Sequence, residues 1–221
     1  MNLVEYLIKV QQDGLKIDTV YDIGANRGHW SPAIKHNALP NSYFYLFEGN
    51  SRHEPALQAT GLPYYIGILS NPGREYVEFY DTAGTGDSYY RENTVHYDDK
   101  TPTRYPARTL DSIIEDCELP VPNFIKIDTQ GAEIDVLRGT EKVLNQVDLV
   151  YLECPIIRYN LGAPTMQDYL DYMRSQQFIP TDILEVHRNE ETLLQVDIMF
   201  INMTTKERLY GSNQYSRPLI D

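Results

Sequence analysis

The sequence predicts an α/β fold: a doubly wound, mostly parallel sheet with an antiparallel hairpin at one edge. Three observations carry this. Apolar, strand-like runs alternate with stretches of helical period from Asp18 to Met173, the pattern that winds helices onto both faces of a parallel sheet. Residues 20–30 (VYDIGANRGHW) form an apolar run that stops at Gly24 and turns helical near Gly28, the kind of turn at which open α/β sheets bind nucleotides. The last two strand-like runs, 178–185 and 193–201, follow one another across a polar turn without a helix between them, which makes them an antiparallel pair.

The 221 residues read as a single domain, 1–221, since nothing in them resembles a linker. With 42% hydrophobic residues the chain can bury a proper core. Its 19 Lys and Arg stand against 32 Asp and Glu, a formal net charge of −13. A surface of that sign repels phosphate backbones and anionic headgroups, so neither nucleic acid nor membrane is an expected partner. It tolerates a cationic ligand. Cys117 and Cys154 make neither a disulfide framework nor a metal cluster. Residues 1–9 carry Glu5 and no long apolar run, unlike a signal peptide. No stretch approaches the ~18 apolar residues of a membrane span, so the expected location is the cytoplasm.

Taken in order, residues 1–17 open with an amphipathic helix in which Leu3, Val4, Leu7 and Ile8 recur at helical spacing. The first strand is 18–23, followed by the glycine turn and a helix with Trp30, Ile34 and Ala38 inward and Pro32 in its first turn. The second strand, 43–47, ends in Glu48-Gly49-Asn50. Ser51 with Glu54 reads as a capping box, and Gly61 ends that helix. Strands at 64–69 and 76–80 flank an Asn71-Pro72-Gly73 turn. Residues 81–103 then show no period. A loop of that length is either a disordered excursion or an active-site lid. It holds Gly84, Thr85, Gly86, Asp87 and Ser88 with Tyr89, Tyr90 and Tyr97.

The strand 104–109 is followed by a short helix lined by Leu110, Ile113 and Ile114. Strand 123–128 turns at Thr129-Gln130-Gly131 into a helix with Ile134, Leu137 and Leu144 inward, and strand 148–153 closes at Cys154-Pro155. Thr165 and Asp168 start a last helix before the hairpin. Residues 203–221 read as a loose polar tail.

Four acids stand at predicted strand ends: Asp22, Glu48, Asp128 and Glu153. One such acid alone is a helix cap. Four on the carboxyl rim of a parallel sheet converge on one crevice. Glu48 follows Gly24 by 24 residues, near the ~20-residue offset at which an acid bonds ribose hydroxyls. The turn reads Asp-x-Gly-x-x-x-Gly, with Asn26 and Arg27 where a dinucleotide turn has its second glycine. An acid there disfavours a pyrophosphate and suits a positively charged nucleoside; S-adenosylmethionine, with an ammonium, a sulfonium and a diol, fits.

Residues 20–28, Phe47-Glu48, Thr109-Leu110-Asp111 and residues 124–139 (FIKIDTQGAEIDVLRG), with Leu152-Glu153 and Val196-Asp197, resemble the FkbM-type methyltransferases. The resemblance covers about 20–202, and its most specific part is 126–139. It implies a class I, Rossmann-like methyltransferase fold with a seven-stranded sheet, S-adenosylmethionine as cofactor, and methylation of a hydroxyl oxygen on a small molecule, natural product or sugar. Carried over, Asp22, Gly24, Ala25, Asn26 and Gly28 cradle the methionine part of the cofactor. Glu48 holds the ribose, Gly49 beside it also binds the cofactor, and Ile68 and Leu69 flank the adenine. Asp128 stands near the methyl. Two departures stand out: the family commonly has Val-Glu-Gly where this chain has Thr129-Gln130-Gly131, and Gly86-Asp87-Ser88-Tyr89 matches its small-Ser-Ser-Leu segment only loosely.

An alcohol acceptor must lose a proton as it attacks. Asp128 is the first candidate base or orienting group and Glu153 the second; Asp128 could equally cap the next helix or bond the cofactor. No metal is expected: His29 reads as a surface residue, His187 falls in a polar turn and His96 in the lid. Asp128 with Glu153 could hold a divalent ion, but two carboxylates alone are too few for hard-cation coordination. Tyr89, Tyr90, Tyr97 and Tyr159 are candidates to stack on a small-molecule or glycan acceptor. Two other classes stay open: a catalytically silent cofactor-binding relative, and a nicotinamide-dependent oxidoreductase, which would need a glycine turn this chain lacks.

Overall fold

A computed structural model describes residues 1–82, 84 and 86–211, without the side chain of His96. Thr85 and the end of the expected tail, 212–221, lie outside the described residues. In chain order the elements are α1 (Leu3–Gln12), β1 (Thr19–Ile23), α2 (Trp30–Asn37), β2 (Tyr43–Glu48), α3 (Glu54–Ala59), β3 (Tyr64–Ile66), β4 (Ile68–Leu69), β5 (Tyr76–Phe79) and β6 (Thr103–Arg108). They continue with α4 (Leu110–Asp116), β7 (Phe124–Ile127), α5 (Glu133–Arg138), α6 (Glu141–Leu144), β8 (Leu149–Pro155), α7 (Met166–Ser175), β9 (Phe178–Asn189), β10 (Thr192–Asn202) and α8 (Met203–Tyr210).

Seven strands form one sheet in the order β3-β2-β1-β7-β8-β10-β9. The first five run parallel, and β10 inserts antiparallel between β8 and β9. The expected fold class is the one observed. The strands bury both faces because side chains alternate along them. Tyr21, Ile125 and Phe200 face α4, α5 and α7 in one core, while Val20, Phe44, Phe124 and Met199 face α1, α2 and α3 in the other. Alpha1 lies over the β9–β10 side, where the Tyr6 hydroxyl meets Thr181 Oγ1 at 2.8 Å; Leu3, Tyr6, Leu7 and Val10 form its buried stripe, and Ile8 is exposed.

Several boundaries differ from expectation, each for a local reason. The strand expected over 64–69 breaks at Gly67: β3 pairs with β2, whereas β4 joins β6 and β5 in a separate three-stranded sheet. Asn50, not Ser51, caps the helix after β2, by accepting from the Arg52 amide, and a 3-10 turn (Ser51–His53) precedes α3. The helix expected to run from 131 through Leu144 is two, α5 and α6. It breaks at Gly139, where a Cβ would stand 2.3 Å from the Ser70 carbonyl oxygen, so close backbone approach decides the break. The expected loose tail begins instead with α8, whose Asn202 cap accepts from the Thr204 amide and whose Thr205 and Arg208 bond Asp148. Among the described residues no helix is long and apolar enough to cross a membrane.

Candidate active site

The carboxyl ends of β1, β2, β7 and β8 border a cleft of about 690 Å³, within the size range of small-molecule sites. After Ile23 the chain turns at Gly24 (φ +77°), and the Gly24 and Ala25 amides both donate to the Phe47 carbonyl. Only glycine fits here, because a Cβ would lie 1.8 Å from the Asp128 carbonyl oxygen. Asn26 follows in the left-handed region (φ +50°), an unfavourable conformation that over-determined site turns sustain. Its amide donates to Glu48 Oε2 at 2.7 Å, and the Asn50 amide donates to Glu48 Oε1 at 2.8 Å. Burial pushes the Glu48 carboxyl above its usual range, against these two bonds. Each oxygen keeps a lone pair for a further donor.

Beyond Glu48 the wall is apolar. Ile68 and Leu69 are buried in β4, and a Cβ on Gly49 would stand 3.4 Å from Ile68 Cγ1 and 3.5 Å from the Phe79 ring, filling the slot between them. Expected site residues Gly24, Asn26, Glu48, Gly49, Ile68, Leu69, Asp128 and Glu153 all border the cleft. Asp22, Ala25 and Gly28 do not. The Asp22 carboxylate is fully buried and taken by Ser31 Oγ (2.7 Å) and Lys126 Nζ (3.3 Å). Ala25 packs into the core beneath α1–α3. Gly28 faces α3, where a Cβ would meet Thr60 and Leu57 side chains at 2.8 and 3.0 Å.

The end of the cleft at Asp128 and Glu153 is polar. Lys126 Nζ lies 3.3 Å from both Asp22 and Asp128 and donates to the Gly24 carbonyl. Burial alone would lower its pKa, but the two carboxylates outweigh that and hold it above the usual lysine value. Gln130, at φ +54°, donates from Nε2 to Asp128 Oδ1 and to Glu153 Oε2, both at 2.8 Å. Its turn is clamped from below by buried Glu133, which accepts from the Thr129 and Gly131 amides and from the Tyr169 hydroxyl. Burial raises the Glu153 carboxyl well above its ordinary value, with Asp128 adding to it. Burial likewise lifts Asp197 to about 6, against the pull of His187.

The 81–103 segment folds over this end. Asp87 accepts from the Thr82 amide, Asn50 Nδ2 and Arg52, while Ser88 Oγ donates to the Gln130 carbonyl. The far side of the segment pairs with 159–161 through Glu92↔Asn160 and the Asn93 amide to the Tyr159 carbonyl. Tyr89, Tyr97 and Tyr159 border the cleft, whereas the Tyr90 hydroxyl turns away to Asp135.

His187 corrects the sequence reading. It belongs to β9, not to a turn, borders the cleft, and stands 3.2 Å from Asp197 Oδ1. Gln195, which donates to Glu153, also escaped notice. Period-two alternation on β10 carries the signal, since Gln195 and Asp197 share a face.

A model of the Methyltransferase FkbM domain matches residues 22–180. Over 186 residues the chain is 24% identical to hexuronic acid methyltransferase AglP of Haloferax volcanii, covering 80% of this chain and 70% of that protein. Among solved structures it is similar to methyltransferase FkbM from Methylobacillus flagellatus, with a TM-score of 0.50 and 15% identity over 89% of this chain and 48% of that one. It is also similar to magnesium protoporphyrin IX methyltransferase from Synechocystis PCC 6803, solved with bound S-adenosylmethionine, with a TM-score of 0.51 and 8% identity over 90% of this chain and 76% of that one. At these identities the structural likeness concerns the fold.

Proposed function

The chain belongs to the FkbM family of methyltransferases, and we propose that it moves the methyl group of S-adenosylmethionine to a hydroxyl oxygen of a sugar or another small polyhydroxylated molecule. The observation that carries this is the Glu48 carboxylate, fixed by the Asn26 and Asn50 amides beside the Gly24 turn. That arrangement suits a ribose diol, whose two hydroxyls the two oxygens can accept. The Ile68–Phe79 slot beside it is apolar and open at Gly49, as an adenine needs. The residues present therefore fit the cofactor: Glu48 and Gly49 for the ribose, Ile68 and Leu69 for the base, Gly24 and Asn26 with the acidic end for the cationic methionine part.

When bound, the cofactor supplies an electrophilic methyl on a sulfonium. What the chain contributes is alignment and exclusion of water. The Asp81–Asp87 side of the lid, tied to Asn50 and Arg52, covers the cleft. Asp128, held in place by Lys126 and Gln130, keeps part of its carboxylate open to the cleft. There it accepts a hydrogen bond from the acceptor hydroxyl and takes its proton as the O–H bond breaks. Glu153 orients the acceptor from the neighbouring strand. The hexuronic acid acted on by the Haloferax volcanii relative supports a sugar as the acceptor class.

Calorimetric titration with S-adenosylhomocysteine and NAD tests the cofactor half. Binding of the first, weakened ~10–100-fold in Glu48→Ala, and none of the second, is expected. Transfer of a labelled methyl to hydroxylated acceptors, reduced in Asp128→Asn, tests the rest. Unchanged turnover in Asp128→Asn would overturn its role as base, and tight cofactor binding without transfer to any acceptor would favour the silent-relative reading.

A further inference from the structure

At the acceptor end of the cleft, three strands place a mixed nitrogen and oxygen ligand set. Glu153 on β8 and Asp197 on β10 are register partners, so their side chains leave the same face of the sheet. His187 on β9 pairs in register with Gln195, two residues from Asp197. One carboxylate oxygen of each acid and one imidazole nitrogen all lie within 4.8 Å of one another. Ligands on a single ion with bonds of about 2.1 Å stand ~3–4.2 Å apart, so small side-chain adjustments would close the three onto one centre. Glu153 and His187 both border the cleft.

The surroundings are those of ligands held from outside. Glu153 accepts from the Gln130 and Gln195 amides, and Asp197 Oδ2 from the Tyr151 hydroxyl at 3.1 Å. Such outer donors orient ligating groups and leave lone pairs free. They are neutral, and His187, whose Nε2 stands 3.2 Å from Asp197 Oδ1, is the member of the set able to carry positive charge; as a ligand it would exchange that bond for one to the ion. The buried ammonium of Lys126 is committed to Asp22 and Asp128. Glu185, whose Oε2 is 3.9 Å from His187 Nε2, adds a further acid instead of relief. Two carboxylates and an imidazole suit a divalent ion of mixed nitrogen and oxygen preference.

We propose that Glu153, His187 and Asp197 bind a divalent cation of the Mn²⁺ or Zn²⁺ kind at the acceptor end of the cleft. Its open positions face the space where neighbouring hydroxyls of a polyhydroxylated acceptor would enter. Only this use for the acceptor rests on the methyltransferase reading; the ion site itself does not.

The full chain, stripped with chelator and dialysed, is titrated with Mn²⁺ alone, and free Mn²⁺ is read by electron paramagnetic resonance. One Mn²⁺ bound per chain is expected, weakened at least ~10-fold in Asp197→Asn and in His187→Gln. Circular dichroism and S-adenosylhomocysteine titration of both variants establish that each is folded. Mn²⁺ remaining free in the wild type, with Zn²⁺ in a parallel calorimetric titration also unbound, overturns the proposal. So does binding that both folded variants retain. Mn²⁺ binding by a chain that ignores S-adenosylhomocysteine would leave the ion site standing and remove the cofactor reading.

Discussion

Asp22 and Lys126 are register partners across the parallel pair β1–β7, and their buried side chains meet at 3.3 Å inside the rim of the cleft. The acid expected to touch the cofactor instead holds the lysine, and the lysine holds Asp128. Removing one partner strands a charge where water cannot reach it. Lys126→Met should therefore cost ~3–5 kcal/mol, read as a shifted urea midpoint. A loss below ~1 kcal/mol would show that Asp22 finds another partner.

Gly24 and Gly61 both have positive φ, +77° and +69°, but only Gly24 has backbone where a Cβ would go. Gly61→Ala should cost ~1–2 kcal/mol, the left-handed penalty alone. Gly24→Ala should cost at least ~3 kcal/mol, since the Asp128 carbonyl must also retreat. Thermal melts of the two variants compare them directly. Equal losses would mean that the turn yields easily.

Burial raises the pKa of both Glu48 and Glu133. The folded chain thus keeps protons that the unfolded chain has released above the usual value of about 4.3. The stability these two groups contribute is full below that pH and is lost as pH rises through their folded values. Glu133→Gln is neutral throughout. In urea titrations from pH 4 to 8 it should start less stable than the wild type and close the gap as pH rises. A gap that widens instead would contradict the direction of the Glu133 shift.

Asp87 ties the 81–103 segment to the rim through Asn50 and Arg52, and to the segment's own start through Thr82. Asp87→Ala should leave global stability within ~1 kcal/mol, because most of what it loses is local to the lid. Amide exchange over residues 80–97 should quicken several-fold. Unchanged exchange there would assign the closure to the 159–161 pairing alone.

The sheet was legible because β1, β2, β7 and β8 are compact, mostly apolar runs of four to seven residues, and the rim because all four carry an acid at or near their carboxyl ends. Eight of the expected site residues border the cleft. Asp22 was misplaced because a motif gives the position of a side chain along the strand, not the partner that captures it; Lys126 lies 104 residues away in sequence. His187 was misread because β9 runs to Asn189, four residues past the expected strand end at Glu185, carrying polar residues on the sheet to the cleft. The break at Gly67 is set by which sheet edge is free, a tertiary choice that the local sequence does not encode.

The placement of β1 between β2 and β7 also bears on how the chain comes together. Val20 faces Phe124 in register, so one edge of β1 waits for ~100 further residues, roughly 5–20 s of synthesis at typical rates. Pairings this distant in sequence slow folding, and an unpaired apolar strand edge is a template for association with other chains. The cleft is later still, since its walls run from Ile23 to Gln195. A ligand of the cleft therefore meets its full set of contacts only after Gln195 has been made.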